Sequence, residues 1–506
     1  MTKSSGPGVN VVGVVDVVVL GGGPAGATAA ALLASCGRSV VVVHGESSAP
    51  SLAESLPTST RKLLRFLDLL DVVDAAGFHL NDGTISRWAG KEAVARTARA
   101  GYHVSRATFD RLLRDHARAQ GAIVIEGHAR HVELADPVTV ECVGPSRPGS
   151  YRGRFVLDCS GRTGVIASRG LRRAHAGYRT LAVAAEWDCD RWPADERTHT
   201  FVDSYRDGWA WSVPVSDTRR QCTVMIDADR TTVRKAGLAS LYGEELRKAV
   251  SIGTRLSGAR QVSRPWACDA SLYDCVRAFD GHALLVGDAA SFVEPLSSGG
   301  VKKALSSAWR AAVVVNTCLD KPEMLAAASE FHDRRERQVY DEYQRHTARF
   351  FRDAALVYED RFWSARAAGD PNRPSAAGGD LADGDLARDP AVRSAFERLR
   401  QAKTLRLTPG PSLSFGQTAV VEGREIVMRE AIVLSGVDAP VRFAAGVNLP
   451  EMIRIAEGSR DVDSVIETYH RRVGKIDPRS LLAGLSLLIA RGLLIERAGN
   501  EGSAAR

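Results

Sequence analysis

The chain has no Cys-x-x-Cys pair, no Cys/His spacing of the kind that holds zinc, and no apolar run reaching the ~18 residues of a membrane helix. These gaps exclude a structural zinc module and a chain anchored in a bilayer by helices. Eight cysteines, at 36, 142, 159, 189, 222, 268, 275 and 318, lie too scattered for a disulfide framework and are expected as buried thiols in a reducing cytoplasm. The opening Met-Thr-Lys-Ser-Ser-Gly-Pro-Gly lacks the charged-then-apolar layout of a secretion signal, so a soluble cytoplasmic protein with no membrane partner is expected. Basic runs and interleaved aromatics are also missing. The net charge of +7 therefore argues for anionic cofactors rather than for nucleic acid. What remains is ordinary globular material, 44% hydrophobic and 25% charged, and 506 residues suggest about three domains.

The most ordered local signal is near the start. Val14 to Leu20 is apolar and β-branched apart from Asp16, which predicts a buried parallel strand. Gly21-Gly-Gly23-Pro-Ala-Gly26 then opens an Ala-rich helix, 27–35; Gly37 closes it, and Ser39 to Val43 reads as the next strand. Strand, glycine turn, helix and strand in this order form the setting that a dinucleotide fingerprint requires. The first glycine makes the turn, the second admits the pyrophosphate, and the third lets helix and strand pack closely. The helix N-terminus adds positive dipole for the phosphates. The second strand should end in an acid for the ribose hydroxyls. His44 stands there, and Glu46 is the candidate to reach instead.

Five further segments follow. Tyr102-His-Val-Ser-Arg106-Ala-Thr-Phe109-Asp110 leads a helix to Gln120. Asp158-Cys-Ser-Gly161-Arg162 follows a strand at Phe155–Leu157, and Trp209-Ala-Trp211-Ser-Val213-Pro214 lies in mid-chain. Ala283–Val286 runs as a strand into Gly287-Asp288-Ala-Ala. Directly afterwards come Phe292-x-x-Pro295-x-x-Ser298-x-Gly300 and a helix from about Val301. In this order the motifs resemble the flavin-dependent halogenases and their FAD monooxygenase relatives, over residues 14 to about 365. The resemblance implies an α/β fold. Its parts would be an FAD-binding Rossmann-type domain (1–180 and 270–325), an inserted substrate-binding β-sheet (181–269), a helical region with linker (326–400) and a winged-helix-like C-terminal domain (401–506).

The same resemblance assigns roles. Arg106 would touch the FAD phosphates, Asp158 would shape the turn over the adenosine side, and Asp288 beside Gly287 would hold the ribityl chain. Pro295, Ser298, Gly299 and Gly300 would form a loop whose amides approach the isoalloxazine, an anion nest suited to reduced flavin or to chloride. Alternation places Trp209 and Trp211 on one strand face, where they would wall off the oxygen-activating site.

Halogenases of this kind also carry a lysine, after a Glu-Ser-x-x-Pro segment and shortly after Gly-Phe. Here Glu54-Ser55-Leu56-Pro57 and Gly77-Phe78 are followed by His79-Leu80-Asn81-Asp82-Gly83, with Asn81 at the lysine position. Asn carries no ammonium, and Lys91, ten residues on, reads as a solvated loop lysine. Without the ammonium, the resemblance implies a monooxygenase in which a flavin C4a-hydroperoxide passes oxygen from O₂ to an indole or phenol ring. His79, Asp82 and Glu54 are unranked candidate bases. The run at 54–64 is similar to a branch acting on peptide- or protein-bound tryptophan, so a peptide- or carrier-tethered substrate is expected. Natural-product biosynthesis or peptide modification is the setting such relatives imply. Two alternatives stay open: a halogenase with its ammonium relocated to Lys302 or Lys303, and a non-catalytic flavoprotein adaptor. With no second complete nucleotide fold, the reductant is a flavin reductase or NAD(P)H.

Between about 367 and 389 the composition shifts to Gly, Ala, Asp, Asn and Pro, as in a linker. Beyond it a hairpin around Glu422-Gly423 and helices at 449–456, 463–473 and 478–492 suggest a winged-helix module. Peptide recognition ranks above DNA binding there, because no recognition helix is basic; a lid on the catalytic domain carries equal weight.

Overall fold

The computed structural model describes residues 10–11, 13–46, 50, 52–145, 148–190, 192–193, 196–231, 237–369, 386, 389–402, 404–437 and 439–496. The chain divides into two compact units, 1–374 and 375–506. The expected linker lies largely outside the described residues.

In the first unit, the strand Val15–Leu20 sits between Val40–His44 and Gly149–Asp158, all parallel, with Ile123–Glu126 and Ala283–Leu285 extending the sheet on either side. Val17 to Leu20 and Val40 to Val43 are almost wholly buried, the signature of a parallel sheet covered on both faces. The helix Pro24–Ser35 covers one face. Its alanines allow close approach to the helix Gly300–Asp320, so two helix N-termini start from the same end of the sheet.

A second sheet stands beside it. Its order is Arg260–Gln261, Thr180–Asp188, Arg219–Asp227, Gly208–Pro214, His199–Tyr205, His79–Trp88, Lys91–Ser105, Ala53–Leu56, with Trp266–Asp269 also on Thr180–Asp188. The sequence reading confined this sheet to 181–269. Three of its strands come instead from 53–105, joined through a parallel pairing of His199–Tyr205 with His79–Trp88. This places the Glu54-Ser55 and Asn81 segments in the same sheet as the tryptophan motif. The long helix Leu325–Ala355 and the short Arg361–Ala368 brace it: Phe351, Phe362 and Trp363 pack with Trp209 in one buried cluster.

The second unit holds a hairpin (Phe415–Glu422 with Glu425–Ile432), helices Leu449–Glu457, Val462–Arg472 and Pro478–Ala490, and a strand Leu494–Glu496 paired with Leu407–Pro409. Asn448, Asp461 and Asp477 cap the three helices. The sequence reading began this unit at 401. The helix Pro390–Gln401 packs within it through Val392 and Leu399. Among the described residues, no helix is long and apolar enough to cross a membrane.

Candidate active site

The glycine turn is built to admit something between its helix and the outside. Gly21 has φ +100°, and a Cβ there would lie 2.5 Å from the Cys159 carbonyl oxygen. A Cβ on Gly26 would lie 1.9 Å from the Gly21 carbonyl oxygen, so helix and strand touch backbone to backbone. Gly23 differs: a Cβ there would meet nothing closer than Asp110 Oδ2 at 3.7 Å. The free space beside Gly23 opens into a cavity of about 620 Å³. Its wall passes from Gly21–Ala25 and Glu46, past Arg106 and Asp288, to Trp209, Trp211 and Thr200 on the second sheet.

Arg106 lines this cavity, held by Asp110 (2.9 and 3.1 Å) and by Glu54 at 3.4 Å. Burial pushes the Glu54 carboxyl above the usual carboxylate range even though Arg106 opposes it. His44 faces the same space, and burial, seconded by Arg114, lowers its pKa to about 4, so it is a neutral ring at pH 7. Pro295, Ser298 and Gly300 line the far end, where the N-terminus of Gly300–Asp320 points its dipole inward. Ser298 holds a left-handed φ of +48°. Gly299 stands behind this loop: a Cβ there would lie 2.2 Å from the Tyr343 ring. Trp209 and Trp211 stack at 4.9 Å, and Trp209 is 1% exposed.

Other expected site residues stand one layer back. Asp158 is fully buried and spends both oxygens on the loop that follows, accepting from the Ser160, Ile166 and Ala167 amides. Gly287 (φ +65°) lets its turn approach Ala25, while Asp288 reaches the cavity. His79 bonds the Arg197 carbonyl at 2.8 Å, and the Asp82 amide donates to the Thr198 carbonyl at 3.0 Å; neither residue lines the cavity. Asn81 is buried behind Ser55, which does line it. The sequence shows Ser55 only as part of its Glu-Ser-Leu-Pro segment, and Thr200 is signalled by nothing but strand alternation with Val202.

No lysine stands among the described residues that line the cavity. Lys302 is directed to Ser59 Oγ at 3.4 Å. Lys303 is buried, with its ammonium on the Gly287 carbonyl (3.0 Å) and the Ser291 carbonyl, and 3.3 Å from Asp288 Oδ1. Replacing it by methionine would orphan those acceptors, and we expect Lys303→Met to lower stability by roughly 3–5 kcal/mol in chemical denaturation. An unchanged midpoint would contradict this structural role.

A glycine cradle with two inward helix termini, an arginine beside the phosphate position and an aromatic wall fits FAD. The site is that of an FAD-dependent oxidoreductase. An FAD-binding domain model matches residues 16–56, and the tryptophan halogenase family model matches 80–383. The chain belongs to that family. It is 29% identical over 375 residues to tryptophan 2-halogenase of Chondromyces crocatus, covering 69% of this chain and 70% of that one. It is 28% identical over 367 residues to flavin-dependent halogenase armH4 of Armillaria mellea, covering 63% and 68%. In fold it is similar to the flavin-dependent halogenase CmlS (TM-score 0.76, 24% identity, 96% of each chain). It is also similar to the peptidyl tryptophan dihydroxylase QhpG (0.68, 23%, 95% of this chain and 100% of that).

Proposed function

We propose that this protein inserts one oxygen atom from O₂ into an electron-rich aromatic ring, with the substrate's tether, a peptide or a carrier, left outside the chamber. The observation that carries this reading is the residue at the lysine position: Asn81, buried, with its amide spent on protein partners. Both sheets' contributions then fall into place. Gly21, Gly23 and Arg106 would hold the FAD phosphates, and Asp288 the ribityl chain. Bound and reduced, FAD supplies O₂ activation. Trp209 and Trp211 exclude water from that end, and the Gly300 helix terminus favours negative charge there. One oxygen goes to the ring and the other leaves as water, with two electrons delivered by NAD(P)H or a flavin reductase.

Halogenation is the second reading, favoured by the names of the relatives above. One experiment separates them. The FAD-loaded protein is supplied with a reductase, O₂ and an aromatic peptide or carrier-bound substrate, with and without bromide, and the products are weighed. The expected product is heavier by one oxygen in either buffer. A brominated product that forms only with bromide would overturn the proposal.

A further inference from the structure

The Asn81 amide cannot flip freely. Its Oδ1 accepts from the Gly83 amide at 3.0 Å, across an irregularity in the pairing of His79–Trp88 with Lys91–Ser105. Such a bulge re-aims a side chain. The fixed backbone donor leaves Nδ2 pointing the other way, where it donates to Ser55 Oγ at 2.8 Å and to the Leu56 carbonyl at 3.4 Å. Ser55 Oγ also accepts from Thr200 Oγ1 at 2.9 Å. A serine hydroxyl has two lone pairs and one hydrogen. Both lone pairs are now occupied, and among the described residues only the hydrogen is unspent. Ser55 and Thr200 both line the chamber beside the tryptophans.

We infer that Asn81, as a positioning residue, makes Ser55 an obligate hydrogen-bond donor at the chamber wall, selecting aromatic substrates that carry an acceptor oxygen, phenols above all, over rings without one. An indole's polar atom is an N–H donor, which finds no lone pair on Ser55 and is left with Thr200 Oγ1, whose hydrogen is already given to Ser55. A phenol oxygen accepts the Ser55 hydrogen. This inference rests on the reading of the chamber as the site of ring oxidation.

The test is binding of 2-naphthol, naphthalene and indole to the oxidised FAD-loaded protein, followed through the visible flavin spectrum. We expect 2-naphthol to bind about tenfold more tightly than naphthalene, a difference of one good hydrogen bond. Ser55→Ala should erase that preference while leaving indole affinity within about twofold and flavin content unchanged. Asn81→Asp is the sharper variant: a carboxylate accepts where the amide donated, so the Ser55 hydrogen turns back to residue 81. The exposed lone pair should then favour indole. A wild type that does not prefer 2-naphthol, or a preference that survives Ser55→Ala, overturns the inference. If Asn81→Asp fails to hold FAD, Ser55→Ala alone decides. The measurement consumes no reductant or O₂, so a halogenated product in the turnover experiment would sink the oxygen-insertion reading and leave this ratio standing.

Discussion

Gly26→Ala is expected to leave the chain with less than about a tenth of the wild-type flavin, a loss exceeding roughly 1.4 kcal/mol of binding. The added carbon would lie 1.9 Å from the Gly21 carbonyl oxygen and 3.0 Å from the Cys159 side chain. Neither neighbour can retreat. Gly21 is itself wedged at φ +100° against the Cys159 carbonyl, and Cys159 directly follows a central strand of the sheet. Relief must come from moving the helix Pro24–Ser35, and with it the N-terminal amides that face the cavity. Gly23→Ala is the control: its carbon enters open space, so melting should hold near wild type while the pyrophosphate loses its approach. Flavin content per chain, with melting measured alongside, checks both. Full flavin retention in Gly26→Ala would show that the cradle is not where the cofactor sits.

Glu294→Gln is expected to gain stability on wild type as pH rises from 5 to 8, by roughly 2–3 kcal/mol, several degrees of melting temperature. Glu294 lies inside the loop motif, between Phe292 and Pro295, and is 1% exposed. Neither carboxyl oxygen has a hydrogen-bond partner among the described residues, and the opposing charge that acts on it is Arg366. Burial raises its pKa to about 7. The unfolded carboxyl ionises near its ordinary value, so between that value and about 7 the folded chain binds more protons. Stability therefore falls as pH rises through this window and stays lowered above it. The glutamine does not titrate and escapes the loss. Calorimetry of both FAD-loaded proteins at the two pH values reads the difference. Parallel pH profiles would show that Glu294 does not change charge in this range.

The two expectations differ in how they became visible. Gly26 was legible in the sequence because a turn, a helix start and a strand end are local demands on φ and on side-chain size, written within a few residues of one another. The same locality made the helix caps Asp461 and Asp477 and the Glu422-Gly423 hairpin readable. Glu294 stands within a motif, yet nothing in the motif says that its carboxyl is buried with no hydrogen-bond partner among the described residues.

By itself, the order of motifs determined a flavin fold, the glycine cradle, the tryptophan wall and the absence of an ammonium at position 81. Tertiary structure alone decided what Asn81 does instead. Its contact with Ser55 spans 26 residues and that of Thr200 with Ser55 spans 145, through a strand pairing that no local pattern encodes. Periodicity tells which face of a strand is buried. Which strand lies beside it is settled only when distant segments compete to cover the same apolar surface, and that competition set the polarity of the Ser55 hydroxyl.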